Sequence, residues 1–244
     1  YCLKKWIYNK NEKPSLNASK KYRKYYLFAG GSLVISTLAI SFYTQITSLM
    51  LAKLTSLKEL GIYAVAVTLG TAWSFVNISV ITSVLSKIYQ VKNDHESYAL
   101  IAKLNVVIIL ISLSAIAALY FLGNVIIQWL YGSAYLEAQY LVLILALSTM
   151  CSGLGTVSAR LMIKQESYHY ISKKMALVAL SALPISYIMV KSYGLQGAAY
   201  SVLLIEFLSL TLFNYFYKNG LIFKIHFYPF FKRSFQSNSL EKKC

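Results

Sequence analysis

Acidic residues are scarce in this sequence: Asp and Glu together number 8 in 244 residues, against 24 Lys and Arg. Charged residues of both signs make up only 13% of the chain, whereas a soluble domain usually carries about 25%. The three cysteines, Cys2, Cys151 and Cys244, have neither metal-site spacing nor the pairing of a disulfide framework. The three His residues are far apart and fall in no catalytic or ligand pattern. These shortages argue against a soluble domain, a disulfide-rich domain and a metal site.

Long apolar runs dominate the chain instead. Hydrophobic residues form 57% of it, and they gather in six blocks with few or no charges. The blocks cover residues 27–51, 60–86, 104–123, 138–159, 175–190 and 195–217. A helix needs about 20 apolar residues to cross a bilayer, and five blocks are that long. The block 175–190 is shorter, but Lys191 can snorkel and Tyr193 can extend it into the interface.

The fold prediction follows from these blocks. We expect an all-α, polytopic membrane protein in which residues 27–217 form a bundle of six transmembrane helices. Residues 1–26 are predicted to be a basic cytoplasmic connection and residues 218–244 a basic cytoplasmic tail. Pro184 predicts a kink in the fifth helix, because proline removes one backbone hydrogen bond and crowds the preceding turn. The sequence "YGLQG" at 193–197 predicts a tight turn between the last two helices.

The basic residues are divided unevenly among the segments that join the blocks. Segments on one side of the membrane, including both ends of the chain, carry 21 of the 24 Lys and Arg residues. Positively charged segments stay cytoplasmic, so both ends are predicted to be cytoplasmic. The net charge of +16 then reflects topology and attraction to anionic lipids, and we expect no nucleic-acid partner. Because the chain starts at Tyr1 with a polar stretch, we expect it to be part of a longer protein.

Polar side chains inside the blocks are candidates for a cavity lining. Five hydroxyl side chains of the second block fall within about 80° on a helical wheel. They are Thr68, Thr71, Ser79, Thr82 and Ser86. This stripe either lines a hydrated cavity or packs against a neighbouring helix through hydrogen bonds. Gln45 and Thr47, near the outer end of the first block, are further candidates for the lining, whereas Asn77 points to the face opposite the stripe.

Glu206 is the one acidic residue inside a block, and the same blocks contain no Lys or Arg. A carboxylate that faces lipid costs about 3 kcal/mol or more, so we expect Glu206 to face a cavity or another helix. Two interpretations stay open. Glu206 either titrates during an ion-coupled step, or it is permanently protonated and forms a hydrogen bond between helices.

Three stretches carry a resemblance to a known family. They are "FYTQITSLMLAKLTSLKELGIYAVA" at 42–66, "VIIQWLYGSAYLEAQYLVLILALS" at 125–148 and "YGLQGAAYSVLLIEF" at 193–207. They resemble the seventh-to-eighth, tenth and twelfth helices of the polysaccharide and O-antigen repeat-unit flippases, in the multidrug/oligosaccharidyl-lipid/polysaccharide exporter superfamily. The spacing fits from about residue 22 to residue 217. Many relatives have Asp where this sequence has Thr47, so an ion-site role of that Asp does not carry over.

The resemblance implies the second six-helix lobe of a twelve-helix transporter, with an N-terminal lobe missing from this chain. It implies alternating-access translocation of undecaprenyl-diphosphate-linked oligosaccharide across the bacterial inner membrane, for O-antigen, lipopolysaccharide or other surface polysaccharide. It implies a transporter and not an enzyme, without catalytic residues, cofactor or metal. The expected partners are the lipid-linked oligosaccharide, membrane lipids, the missing lobe and the polysaccharide polymerase machinery.

Basic residues at the ends of the blocks are candidates for contact with a diphosphate. They are Arg160, Lys53, Lys87 and Lys191. The competing interpretation is that they anchor the helices at the interface and set the topology. Two other functions are kept as alternatives. A multidrug exporter of the same superfamily would share the fold, and a membrane glycan polymerase or ligase would need external Arg or His residues that this sequence lacks.

Overall fold

The computed structural model of the chain describes residues 16–91 and 93–228. Within these residues the fold is all-α, as predicted, with one short 3₁₀ turn at Ser133–Tyr135. The helices are α1 (Leu16–Leu54), α2 (Leu57–Ala72), α3 (Ser74–Gln90), α4 (Asp94–Leu130), α5 (Ala138–Lys164), α6 (Tyr168–Leu210), α7 (Leu212–Tyr215) and α8 (Leu221–His226). Most of the predicted basic connection and tail, residues 1–15 and 229–244, lies outside the described residues.

Five helical segments of the described chain are long and apolar enough to cross a membrane. They are Tyr26–Leu54, Leu57–Gln90, Asp94–Leu130, Ala138–Lys164 and Tyr168–Tyr215. The first four correspond to the first four apolar blocks. The fifth is 48 residues long and contains the block 175–190 and all but the last two residues of the block 195–217. These segments indicate a multi-pass membrane protein.

Side-chain caps start two of the helices, and α5 is the most buried of the long helices. The side chain of Ser56 accepts a hydrogen bond from the backbone N–H of Glu59 (3.3 Å) at the start of α2, and Asn93 accepts one from His95 (3.0 Å) at the start of α4. In α5, 61% of the most apolar stretch is buried, against 17% in α4. The helix α5 therefore lies at the centre of the described bundle, whereas α4 has a largely exposed apolar surface.

The fifth segment turns back on itself at Gly194. This residue has φ 54° and ψ −130°, a backbone conformation that glycine adopts without a steric penalty. The hydroxyl of Thr47 on α1 hydrogen-bonds to Ser186 before the turn (2.9 Å) and lies 3.4 Å from the hydroxyl of Ser201 after it. The residues of α6 before Gly194, here the first arm, therefore lie antiparallel to those after it, the second arm. The predicted turn in "YGLQG" is confirmed.

The two arms approach closely beside the turn. A Cβ atom added to Gly197 would lie 1.9 Å from the backbone oxygen of Met189, so only glycine fits at this crossing.

The first arm continues as a helix through Pro184, and the non-helical backbone lies at Gly194. A proline ring removes one hydrogen bond but keeps φ near the helical value, whereas the positive φ of Gly194 ends the helix.

The end of the bundle differs from the predicted block 195–217. The helix α6 ends at Leu210, Thr211 leaves the helical conformation (φ −95°, ψ −81°), and the short α7 follows. The helix α8 then packs back against the core, where Ile222 and Ile225 are buried among side chains of α3, α4 and α5. The chain therefore leaves the membrane-crossing part as a folded turn.

His226, the last residue of α8, predicts a pH-dependent stability. Its Nδ1 atom lies 3.2 Å from the hydroxyl of Tyr215, and burial lowers the pKa of the imidazole from 6.5 to about 4. The unfolded chain binds this proton more readily than the folded one. The free energy of unfolding therefore has its full value above pH 6.5, where the imidazole is neutral in both states. The free energy of unfolding decreases progressively as the pH falls towards 4. Between pH 7.5 and 5 we expect a loss of roughly 2 kcal/mol.

The measurement is the thermal stability of the purified full-length protein at both pH values. His226→Leu should reduce the difference between pH 7.5 and pH 5. The control His169→Gln changes an exposed histidine and should keep the full difference. A His226→Leu variant with the same pH dependence as the wild-type protein would contradict the prediction.

Candidate functional site

A cavity of about 400 Å³ lies between α1, α2, α3, α5 and the second arm of α6. Ten of its twenty lining residues carry a hydroxyl or amide side chain, and two more are Tyr43 and Tyr63. Among the lining residues that the structure describes, Glu206 is the one with a formal charge. A polar cavity within apolar helices is a place where a polar group can enter the membrane without contact with lipid.

Glu206 lies on the second arm of α6, and three helices meet at its carboxylate. The hydroxyl of Tyr43, on α1, donates a hydrogen bond to Glu206 Oε1 at 3.1 Å. Ser152, on α5, lies beside the same carboxylate. The sequence predicted that Glu206 faces a cavity or another helix, and the structure places it at both. Its role in ion coupling stays a prediction.

Sequence reasoning missed Lys174, because it assigned this residue to a cytoplasmic connection. In the structure Lys174 lies on the first arm of α6, within the segment Tyr168–Tyr215, and is only 4% exposed. Its Nζ atom donates to Asn214 Oδ1 at 2.8 Å, and its ammonium interacts electrostatically with Glu206. Lys174 is therefore a buried basic residue directly before the block 175–190. The short block 175–190 was a signal, because a helix that crosses the bilayer had to begin before residue 175.

Asn77 on α3 also lines the cavity, although the helical wheel placed it opposite the hydroxyl stripe. Thr71, Ser74 and Asn77 line the cavity at helical spacing, so the cavity face is the face that carries Asn77 and has Thr71 at its edge. Asn77 is 2% exposed, and neither amide atom has a hydrogen-bond partner among the described residues. A Cβ atom at Gly153 would lie 3.0 Å from Asn77 Nδ2, so glycine on α5 leaves room for this amide.

The predicted hydroxyl stripe lies mostly outside the cavity. All five of its residues are exposed, and Thr71 lines the cavity, whereas Thr68, Ser79, Thr82 and Ser86 lie outside its lining. The hydroxyls of Thr68 and Ser79 donate to backbone oxygens of their own helices, at 2.9 Å and 2.8 Å. Of these five predicted lining residues, Thr71 alone therefore lies in the cavity wall.

The two candidates on α1 have different surroundings. Gln45 lines the cavity, as predicted, while Thr47 is fully buried and bonds to both arms of α6. Thr47 thus corresponds to interhelical packing and not to a lining residue, which corrects the prediction for this position.

Replacing Thr47 by valine tests this assignment. Valine keeps the shape but removes the hydroxyl from a site shared with Ser186 and Ser201. We expect a loss of about 0.6–1.7 kcal/mol in stability, in line with other hydrogen bonds between membrane helices. The thermal stability of the purified full-length protein measures the effect, and Thr44→Val, at an exposed position, is the control. A wild-type melting temperature for Thr47→Val would contradict the packing role.

The four basic candidates for diphosphate contact do not line the cavity. Lys53, Lys87 and Lys191 are exposed, and Lys191 Nζ lies 5.6 Å from the ring centre of Tyr187. Arg160 is half-buried, and its Nε atom has no hydrogen-bond partner among the described residues. It follows Ser152 and Thr156 at intervals of four on α5, so it lies on the same helix face beyond the cavity.

Comparison with known proteins defines the family. A profile described as polysaccharide biosynthesis protein matches residues 3–140, more than half of the chain. The chain belongs to the polysaccharide biosynthesis protein family. This membership confirms the resemblance stated from the sequence at the level of the family. The matched residues include the cavity walls on α1, α2 and α3, with Asn77 among them.

A curated relative of this polysaccharide biosynthesis protein covers most of the chain. The capsular polysaccharide biosynthesis protein CapF of Staphylococcus aureus is 27% identical over 190 residues, which are 76% of this chain and 48% of CapF. The chain therefore spans about half the length of this relative. No solved structure matches the chain. In the described residues, no group of three or more His, Cys, Asp or Glu residues could hold a metal ion.

Proposed function

We propose that this polysaccharide biosynthesis protein translocates undecaprenyl-diphosphate-linked oligosaccharide from the inner to the outer leaflet of the bacterial inner membrane. The observation that carries the proposal is a cavity of about 400 Å³, with hydroxyl and amide side chains in its wall, inside a bundle of membrane-crossing helices. Family membership supplies the connection to polysaccharide synthesis. The proposed role is transport and not catalysis.

The cavity addresses the physical problem of such transport. The glycan head group carries many hydroxyls, and each would lose its hydrogen bonds to water in the hydrocarbon core. Hydroxyl and amide side chains on α1, α2, α3 and α5 offer replacement partners within the bundle. The lipid chain can meanwhile stay in the bilayer, because it is already apolar.

The arrangement of helices supports one lobe of a larger transporter. Because α6 folds back at Gly194, we infer that the five candidate segments make six passes and that both ends of the chain lie on the cytoplasmic side. The chain covers about half of CapF, which leaves length for a second bundle in such a protein. A second lobe would also cover part of the exposed apolar surface of the described helices.

A multidrug exporter is the second candidate, since a cavity lined by one carboxylate and two tyrosines also suits an amphiphilic cation. The observation against it is that Glu206 already accepts a hydrogen bond from Tyr43, while ten other lining residues carry an uncharged hydroxyl or amide side chain. An organic cation needs few hydrogen bonds, whereas a sugar needs many.

Deletion of the full-length gene in its own bacterium tests the function. We expect loss of surface polysaccharide and accumulation of lipid-linked oligosaccharide on the cytoplasmic side, both reversed by the full-length gene. Normal surface polysaccharide would contradict the proposal. Loss of the polysaccharide without accumulation would indicate a role in synthesis of the lipid-linked unit. Increased sensitivity to lipophilic cations with normal polysaccharide would favour the multidrug exporter.

A further inference from the structure

We propose that the cavity binds an uncharged sugar residue of the translocated unit, and that Asn77 is a specificity-determining residue for it. The inference rests on the proposed function and adds which part of the substrate this lobe recognises. Three features of the cavity carry it: an unpaired amide, the charge of the walls, and the volume.

The amide of Asn77 is the first feature. Buried polar groups almost always have hydrogen-bond partners, so an unpaired amide in a cavity wall indicates that a ligand or water supplies them. Asn77 is 2% exposed, lines the cavity and has no partner for Oδ1 or Nδ2 among the described residues. An amide offers one acceptor and two donors, which can pair with an acetamido group or with two adjacent sugar hydroxyls.

The charge of the walls is the second feature. Of the described lining residues, only Glu206 is charged, and the four basic candidates lie outside the lining. A carboxylate-bearing sugar or a diphosphate would meet the carboxylate of Glu206, and Lys174, which interacts with that carboxylate, lies outside the lining. A neutral sugar can instead donate hydrogen bonds to the hydroxyl oxygens of Thr71, Ser148 and Thr156, whose own hydrogens bond to backbone oxygens of their helices.

The position of Arg160 agrees with this division of the substrate. Arg160 lies two turns after Ser152 on the same face of α5, about 12 Å along the helix axis. With a sugar in the cavity, the attached diphosphate would lie towards the end of α5, where the Nε atom of Arg160 has no hydrogen-bond partner among the described residues. Sugar and diphosphate would thus contact different parts of one helix.

The volume of the cavity is the third feature. Sites for small ligands range from about 300 to 1,000 Å³, and 400 Å³ is near the lower limit. The cavity therefore fits a short part of a glycan and not a complete repeat unit. The rings of Tyr43 and Tyr63 provide apolar surface against which the carbon face of a sugar can pack.

Three synthetic probes test the inference on the full-length protein in lipid nanodiscs, with dissociation constants measured by calorimetry. The probes are farnesyl diphosphate, farnesyl-diphosphate-linked N-acetylglucosamine and farnesyl-diphosphate-linked glucuronic acid. We expect the N-acetylglucosamine probe to bind at least about tenfold more tightly than the other two, because a site built for hydrogen-bonding groups discriminates against ligands that lack them. This comparison uses the wild-type protein and needs no variant.

Two asparagine variants then test the role of Asn77. Asn77→Leu should abolish the preference for the N-acetylglucosamine probe and leave the affinity for farnesyl diphosphate unchanged. Asn105→Leu is a matched control, because Asn105 is 4% exposed, also has an amide without a partner among the described residues, and lies outside the cavity lining. This control should keep the preference. Loss of the preference in both variants would overturn the specific role of Asn77.

The outcomes separate this inference from the proposed function. Equal binding of all three probes would overturn the sugar site while leaving diphosphate-lipid transport intact. Tightest binding of the glucuronic acid probe would overturn the argument from charge. Failure of the folded wild-type protein to bind any probe would contradict the proposed function, and the sugar site with it.

Discussion

Gly197→Ala is expected to separate the two arms of α6 and to destabilise the bundle by about 3 kcal/mol, near the upper end of the effect of overpacking. The added Cβ atom would lie 1.9 Å from the backbone oxygen and 2.5 Å from the backbone carbon of Met189. The backbone cannot rotate away as a side chain can, so the arms themselves must move. The movement would affect Glu206 on the second arm and Lys174 on the first.

The thermal stability of the purified full-length protein measures this effect. Gly155→Ala on α5 and Gly30→Ala on α1 are matched controls, since a Cβ atom at either position contacts nothing within 4 Å. Alanine favours a helix over glycine by about 1 kcal/mol, so both controls should be neutral or slightly stabilising. A Gly197→Ala protein as stable as the controls would show that the arms do not cross as closely as described.

Glu206→Gln is expected to reduce translocation by the full-length protein at least tenfold, which corresponds to about 1.4 kcal/mol on the transport barrier. Glutamine keeps the shape and can still accept the hydrogen bond from Tyr43, but it removes the charge that interacts with Lys174. The variant therefore separates the two interpretations of Glu206. If Glu206 acts through its charge, transport is lost in the variant. If Glu206 only forms a hydrogen bond between helices, transport is preserved.

Export of surface polysaccharide, measured over a range of pH, checks this prediction. The control Glu137→Gln removes an exposed carboxylate before α5 and should leave export unchanged. Lys174→Met should reduce export as Glu206→Gln does, because it removes the cation that interacts with the carboxylate. Normal export and an unchanged pH dependence in Glu206→Gln would assign Glu206 to interhelical bonding alone.

The sequence predicted the coarse fold because hydrophobic length determines what crosses a membrane. The apolar blocks, the tight turn at Gly194 and the position of Glu206 all follow from local composition and spacing. The helix face that turns towards the cavity was harder to predict, because it depends on how α2 and α3 pack against the other helices. That face carries Asn77 and leaves Ser79 outside the cavity wall.

Burial of charge was also beyond the sequence pattern. Lys174 borders an apolar block, and a lysine in such a position usually extends to the membrane interface. The local sequence does not predict that its Nζ atom donates a hydrogen bond to Asn214. Thr47 is a similar case. The sequence predicted its hydroxyl as a lining group, but in the structure this hydroxyl bonds to both arms of α6. Both cases depend on contacts between residues far apart in the chain, which periodicity does not encode.

The central claim is that the full-length protein moves a lipid-linked oligosaccharide across a membrane, and reconstitution tests it most directly. Liposomes would contain the purified protein and a radiolabelled undecaprenyl-diphosphate oligosaccharide, and a membrane-impermeant glycosidase would report the glycans on the outer leaflet over time. The account predicts that wild-type protein makes the initially protected inner-leaflet glycans accessible, and that Glu206→Gln slows this at least tenfold, by about 1.4 kcal/mol. Protection equal to that in protein-free liposomes would contradict it.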